Sequence, residues 1–180
     1  MDYETLTTET LLAGRSAEPF GVWTDHRIPE DRSGWHPLVR RFYEHWLSLA
    51  PPGLLPGRQH IQPEDMVPLL SRLWMMDVHR DPLRFRYRLC GTTLVHSLNR
   101  EVTGHEIQPE TVYDPTVRDR YRFVAEAGRP TWRRGRSFWD RDPLHRTIEN
   151  CVAPLAANGM SVDVIIGLAV LFDAARREIN

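Results

Sequence analysis

The side chains whose types could do chemistry here are two cysteines, eight histidines and a run of arginines interleaved with aromatic rings. Cys90 and Cys151 stand far apart and belong to no Cys-x-x-Cys pair. They therefore make neither a disulfide scaffold nor a zinc ribbon, and they fit a reducing cytosol as small packing residues. Cys90, His96 and His105 have no metal-ligand spacing, and His105-Glu106 lacks the second histidine of a His-Glu-x-x-His helix, so no metal is expected. There is no Gly-x-Ser-x-Gly elbow. Every one of the 23 basic residues is arginine, so there is no ordinary phosphate-binding loop, which needs a lysine. The acidic pair Glu64-Asp65 sits at a helix start, where it complements the helix dipole. Nothing in these residues makes an active site, and the expectation is a protein that is not an enzyme and carries no cofactor.

The densest chemistry lies between Arg118 and Arg146, where Arg133, Arg134 and Arg136 run among Trp132, Phe138 and Trp139. Cations interleaved with rings can hold nucleic acid, an anionic ligand or an acidic protein by stacking and phosphate contacts. Asp119, Glu126, Asp140 and Asp142 are interspersed, however, and a strand with one solvated, ion-paired face reads the same way. The net charge of −1 argues against a polyanion binder as a whole, and the exclusive use of arginine fits the codon usage of a GC-rich genome. Nucleic acid is the weakest of these readings.

The elements that must position these residues follow from periodicity. Residues 1–35 are polar and broken by Gly14, Pro19, Gly21, Pro29 and Gly34, and read as an arm with one short helix near residues 8–13. From His36, apolar residues recur at three- and four-residue steps (Leu38, Val39, Phe42, Tyr43, Trp46, Leu47), which is one face of an amphipathic helix ended by Pro51-Pro52. A second short helix opens at Pro63 and carries Met66, Leu69 and Leu70. The period then becomes two. Residues 73–79 read as a strand, and a turn follows at Arg80-Asp81-Pro82. In the next strand Leu83, Phe85, Tyr87 and Leu89 alternate with Arg84, Arg86 and Arg88. A threonine-capped short helix ends near Leu98. A longer helix over residues 115–127 carries Val117, Tyr121, Val124 and Ala125 as its inner stripe and stops at Gly128. Two strands follow over residues 130–139 and 146–156, then a tight Asn158-Gly159 turn into residues 162–172. That last strand is apolar on both faces, so it belongs in the middle of its sheet and excludes a simple meander.

This order resembles a PAS domain, an α+β fold whose five antiparallel strands lie in the order 2-1-5-4-3 with helices inserted between the second and third. The sequence also resembles a bacterial single-domain PAS-like family. The resemblance rests on Arg58 and Pro63-Glu64-Asp65, then on Phe85-Arg86-Tyr87-Arg88-Leu89-Cys90-Gly91-Thr92 and Asn99-Arg100-Glu101-Val102-Thr103-Gly104. Gly128-Arg129-Pro130 and Pro154-Leu155-Ala156-Ala157-Asn158-Gly159 complete it. It covers about residues 36–173 and implies a small-molecule cleft between sheet and helices, used in signalling. Neither the reactive-cysteine run of photoactive flavin members nor a histidine on the 115–127 helix, which haem-binding members use, is present.

The division expected is an arm (1–35), a PAS-like domain with an N-terminal helical cap (36–175) and a tail (176–180). A ligand pocket is expected between the 115–127 helix and the sheet, lined by Tyr121, Trp132, Phe138 and Cys151. The first helix is too broadly apolar for one partner, so its Leu38, Phe42, Tyr43 and Trp46 are expected to meet a second copy in a homodimer, unless Leu11, Leu12, Phe20 and Trp23 of the arm fold back over it. The function expected is a cytoplasmic sensory or interaction module acting on a partner chain. The alternatives are a small α+β enzyme with a buried acid–histidine pair, or an anion or nucleic-acid binder. No signal peptide opens the chain, and the longest apolar stretch, residues 164–172, is too short to cross a bilayer.

Overall fold

The computed structural model describes residues 28–107, 116–136 and 147–179. Five strands, β1 (Leu73–His79), β2 (Arg84–Cys90), β3 (Thr131–Arg136), β4 (Thr147–Leu155) and β5 (Val164–Phe172), form one antiparallel sheet in the order β2-β1-β5-β4-β3. Among the described residues three α-helices accompany it: α1 (Pro37–Ser48), α2 (Thr92–Leu98) and α3 (Thr116–Ala127). The two-sided final strand is central, as its composition requires. Val164, Ile166, Leu168 and Val170 enter an outer layer under α1, while Ile165, Ala169 and Leu171 enter an inner layer under α2 and α3.

The outer layer explains the first amphipathic helix. Val39, Phe42 and Trp46 bury against β4 and β5, and the Trp46 indole donates to the Pro154 carbonyl at 2.9 Å. Leu47 is left 52% exposed. Below α1 the segment over Pro63–Arg72 is a 3-10 helix rather than an α-helix. With three residues per turn, burial falls on Met66, Leu69 and Arg72, and Leu70 is left 40% exposed. Pro68 inside the segment has no N–H to give an α-helical ladder. The following helix also differs from expectation: Gly91, not a threonine, precedes α2, and a Cβ there would lie 2.4 Å from the Ser71 backbone.

The regular alternation of β2 is broken by a bulge opposite Met75/Met76. Phe85 and Tyr87 pack into the inner layer, but beyond the bulge it is Cys90 that turns inward, while Leu89 is 43% exposed beside the arginines. The β2 edge is covered by residues 104–107, whose backbone bonds to Tyr87 and Phe85. In the inner layer Trp74 lies over Gly167, where a Cβ would come within 2.2 Å of the indole. Trp35 is buried and stacks on Trp132 at 5.1 Å, and Glu178 bridges back to Phe172. The helix expected near residues 8–13, the arm residues Leu11, Leu12, Phe20 and Trp23, the loop at 140–143 and Phe138 lie outside the described residues.

Candidate functional site

Inside the inner layer, one turn of α3 and two strands bring together polar groups that the apolar stripe alone does not explain. Val117, Tyr121, Val124 and Ala125 form the stripe, and Arg120, three residues after Val117, shares their side of the helix. Its guanidinium is 2% exposed and reaches across to β3 and β4. Nε donates to Thr131 Oγ1 at 2.6 Å, Nη2 to the Thr131 carbonyl at 3.2 Å and Nη1 to Asn150 Oδ1 at 2.5 Å. Strand alternation sets who is available: Thr131 and Arg133 on β3, and Ile148, Asn150 and Val152 on β4, turn inward. Asn150 and Tyr121 are 0% exposed, and among the described residues the Asn150 amide nitrogen and the Tyr121 hydroxyl have no hydrogen-bond partner. Burial pushes the Tyr121 phenol up from its ordinary value. Arg120 and Arg133 pull it back down, and Cys90 adds to the rise. The ring sits edge-on to Phe85 at 5.8 Å.

Of the three expected pocket residues that are described, only Tyr121 is here. Trp132 and Cys151 pair across β3 and β4 and both face the outer layer, so the sheet separates them from Tyr121. The missed residues carried a signal. Glu149-Asn150 is a polar pair inside an otherwise apolar, fully buried stretch of β4, so one of its members had to face each layer. Burial raises both Cys90 and Cys151 to about 12, with Glu101 adding to the shift of Cys90 and Arg120 opposing that of Cys151, so both are neutral thiols near pH 7.

Within the described part of the arginine-rich stretch, Arg122 and Arg129 are exposed, but not every arginine lies on a solvated face. Arg120 and Arg133 are buried inward, and on the outer face Arg134 donates to the fully buried Glu149 at 2.7 Å from Nε. Glu149 also accepts from the His36 backbone N–H at 2.6 Å and from the Trp132 indole at 3.1 Å, while Arg134 donates to the Gly34 carbonyl. His36 in turn lies 3.3 Å from Glu178, which pairs with Arg72 at 2.6 Å. This acid–histidine pair packs at the start of α1 against Phe172, and its imidazole accepts from Leu38 N–H. It therefore ties the start of α1 to the segment after β5.

Of the expected dimer residues, Phe42 and Trp46 are spent in the chain's own core, leaving Leu38 and Tyr43 partly exposed. An open groove of about 930 Å³ lies elsewhere, at the C-terminal end of α3, among Leu54, Leu55, Met160 and Val162. There Arg80 donates to the Ala125 and Val162 carbonyls at 3.4 and 3.0 Å. Among the described residues there is no group of three or more His, Cys, Asp or Glu able to hold a metal ion, and no helix long and apolar enough to cross a membrane.

A family model described as a PAS domain matches residues 35–128, more than half of the chain. The match runs from Trp35 through α3, and β3 to β5 complete the sheet beyond it. A search of the curated proteins finds none that matches.

Proposed function

This chain belongs to the PAS domain family, and from that premise we propose that it is a ligand-sensing module whose signal passes to a partner chain through α3. Sensory or interaction work is the family's coarse property, and the ligand site is our reading of the inner layer. The observation that carries it is that two fully buried polar atoms of the inner layer, the Tyr121 hydroxyl and the Asn150 amide nitrogen, have no partner among the described residues, beside the buried Arg120. Buried polar groups are nearly always satisfied, so such atoms point to something that completes them. Arg120 links α3 to β3 and β4 directly. A ligand held at Tyr121 and Asn150 thus acts on the contact that docks the helix, and its differential affinity for two α3 positions would bias them.

The test is a small-molecule screen on the full chain by thermal shift, followed by hydrogen exchange on the hits. Ligands that stabilise the protein are expected to slow exchange in α3 and in β3–β4. Hits that protect only other regions, or a screen with none, overturn the reading.

A further inference from the structure

We infer that His36 is a proton-sensitive cap on α1, holding the first turn closed while its ring is neutral and releasing it when the ring takes up a second proton. This goes beyond the ligand reading and does not depend on it. The backbone sets the tautomer. His36 is the residue before α1, and its Nδ1 accepts from the Leu38 N–H at 3.2 Å. A backbone N–H can only donate, so Nδ1 carries no proton and the neutral ring bears its proton on Nε2. That nitrogen lies 3.3 Å from Glu178 Oε2. Both ring nitrogens of the neutral form are thus employed, one as acceptor and one as donor.

A second proton can go only to Nδ1, where it meets the Leu38 N–H donor against donor. Nothing in the first turn takes over the cap, since it holds no acidic side chain. The charges around the ring decide where the imidazolium goes. It gains on Glu178, although that carboxylate already pairs with Arg72 of the 3-10 helix at 2.6 Å and is shared. Glu149 of β4 takes the His36 backbone N–H at 2.6 Å and is itself matched by Arg134 of β3. On α1, Arg40 pairs with Glu44 at 3.8 Å, and the positive end of the helix dipole disfavours a cation at the cap. From β5 the ring meets only the Phe172 side chain, edge-on at 5.9 Å. The charged ring therefore stays with Glu178 and gives up Leu38. The Leu38 N–H loses its acceptor and the first turn opens. Leu38 is one of the residues that α1 leaves partly exposed, so acid alters the outer surface of the molecule.

Histidine ordinarily changes charge between about pH 5 and 8, so the cap is read by amide exchange of the full chain at about pH 8 and about pH 5.5, corrected for the intrinsic rate. Protection of Leu38 and Arg40 is expected to fall about five-fold or more at the lower pH, the scale of a lost N-cap, while the β5 amides keep theirs. His36→Asn supplies a cap oxygen that does not titrate and should hold protection level across the range. His45→Gln, in the last turn of α1, should leave the pH dependence in place. Protection that is constant with pH, or that rises in acid because the Glu178 pair dominates, overturns the proposal. So does a pH dependence that survives in His36→Asn, vanishes in His45→Gln or is shared by β5. If His36→Asn does not fold, the ring nitrogens of the unaltered protein decide by NMR. At about pH 8 the proton is expected on Nε2, and loss of Leu38 protection should follow the titration of the ring. A proton found on Nδ1 at that pH overturns the cap.

Discussion

Tyr121 and Arg120 are neighbours in sequence with opposite energetics. The Tyr121 hydroxyl is buried without a partner, whereas the Arg120 guanidinium holds Thr131 and Asn150. In the unliganded protein Tyr121→Phe is therefore expected to leave stability unchanged or to raise it by about 1 kcal/mol, since it deletes a desolvated group that gains nothing. Arg120→Met strands buried acceptors and should cost about 3 kcal/mol. Urea unfolding of both variants checks the contrast, and a Tyr121→Phe loss as large as that of Arg120→Met would mean the hydroxyl is satisfied. The thiols give a pH prediction. Burial raises Cys90 and Cys151 from 9.0 to about 12, so the folded state holds their protons after the unfolded chain has released them. Their contribution to stability is full below pH 9 and falls as pH climbs toward 12. Unfolding midpoints should drop between pH 8 and pH 10.5, less steeply in Cys151→Ala. A thiol-reactive dye at pH 8 should label both cysteines only after denaturation, and rapid labelling of the native protein would refute the shift.

At the scale of elements, the Pro63–Arg72 segment makes the sharpest prediction because its period decides which side chains are inside. Three residues per turn bury Met66 and Leu69 and leave Leu70 40% and Val67 62% exposed. Met66→Ala is expected to cost about 2–4 kcal/mol and Leu70→Ala under about 0.5 kcal/mol. Comparable losses at the two sites would mean that the segment is α-helical. The sequence placed a short helix here carrying Met66, Leu69 and Leu70 without saying which of them is buried, because propensity and spacing over one turn do not separate periods of 3.0 and 3.6. The same limit applies to β2: alternation predicted Leu89 inside, and a single bulged residue reversed everything after it.

For the molecule as a whole, the informative feature is how Glu178 fastens the segment after β5 to the rest of the fold. Glu178 touches His36 at the start of α1 and Arg72 at the end of the 3-10 helix, and Arg72 also donates to the Ile179 carbonyl at 3.1 Å. One carboxylate near the C-terminus thus joins elements from both ends of the described chain. Glu178→Ala is expected to cost about 1–3 kcal/mol, with faster hydrogen exchange at the start of α1, because the Arg72 side chain beside it is largely withdrawn from water. A loss of stability without that change in exchange would show that the fastening is not transmitted to α1. Self-association is left with a smaller surface than the amphipathic arc of α1 offered. Leu47, with the exposed parts of Leu38 and Tyr43, is what the fold leaves on that side.

The sequence by itself determined that β5 is central and that both faces of the sheet are covered, while the full strand order was implied by the resemblance to PAS domains. A β5 apolar on both faces can only be central, and α1 and α3 each carry a stripe that needs a sheet to cover. It also identified Tyr121 as inward, since the helix stripe fixes that directly. What it did not determine was which face of the sheet each strand residue takes. The choice between Cys151 and Asn150 is one residue of parity, and both are buried, so hydropathy does not distinguish them. The pairing of β4 with β5 settled it by placing Cys151 opposite Leu168 in the outer layer. The fate of the arginines was decided there too. A guanidinium is read from sequence as a surface charge, and only tertiary contacts with Thr131, Asn150 and Glu149 make it possible to bury Arg120 and to pair Arg134 inside the fold.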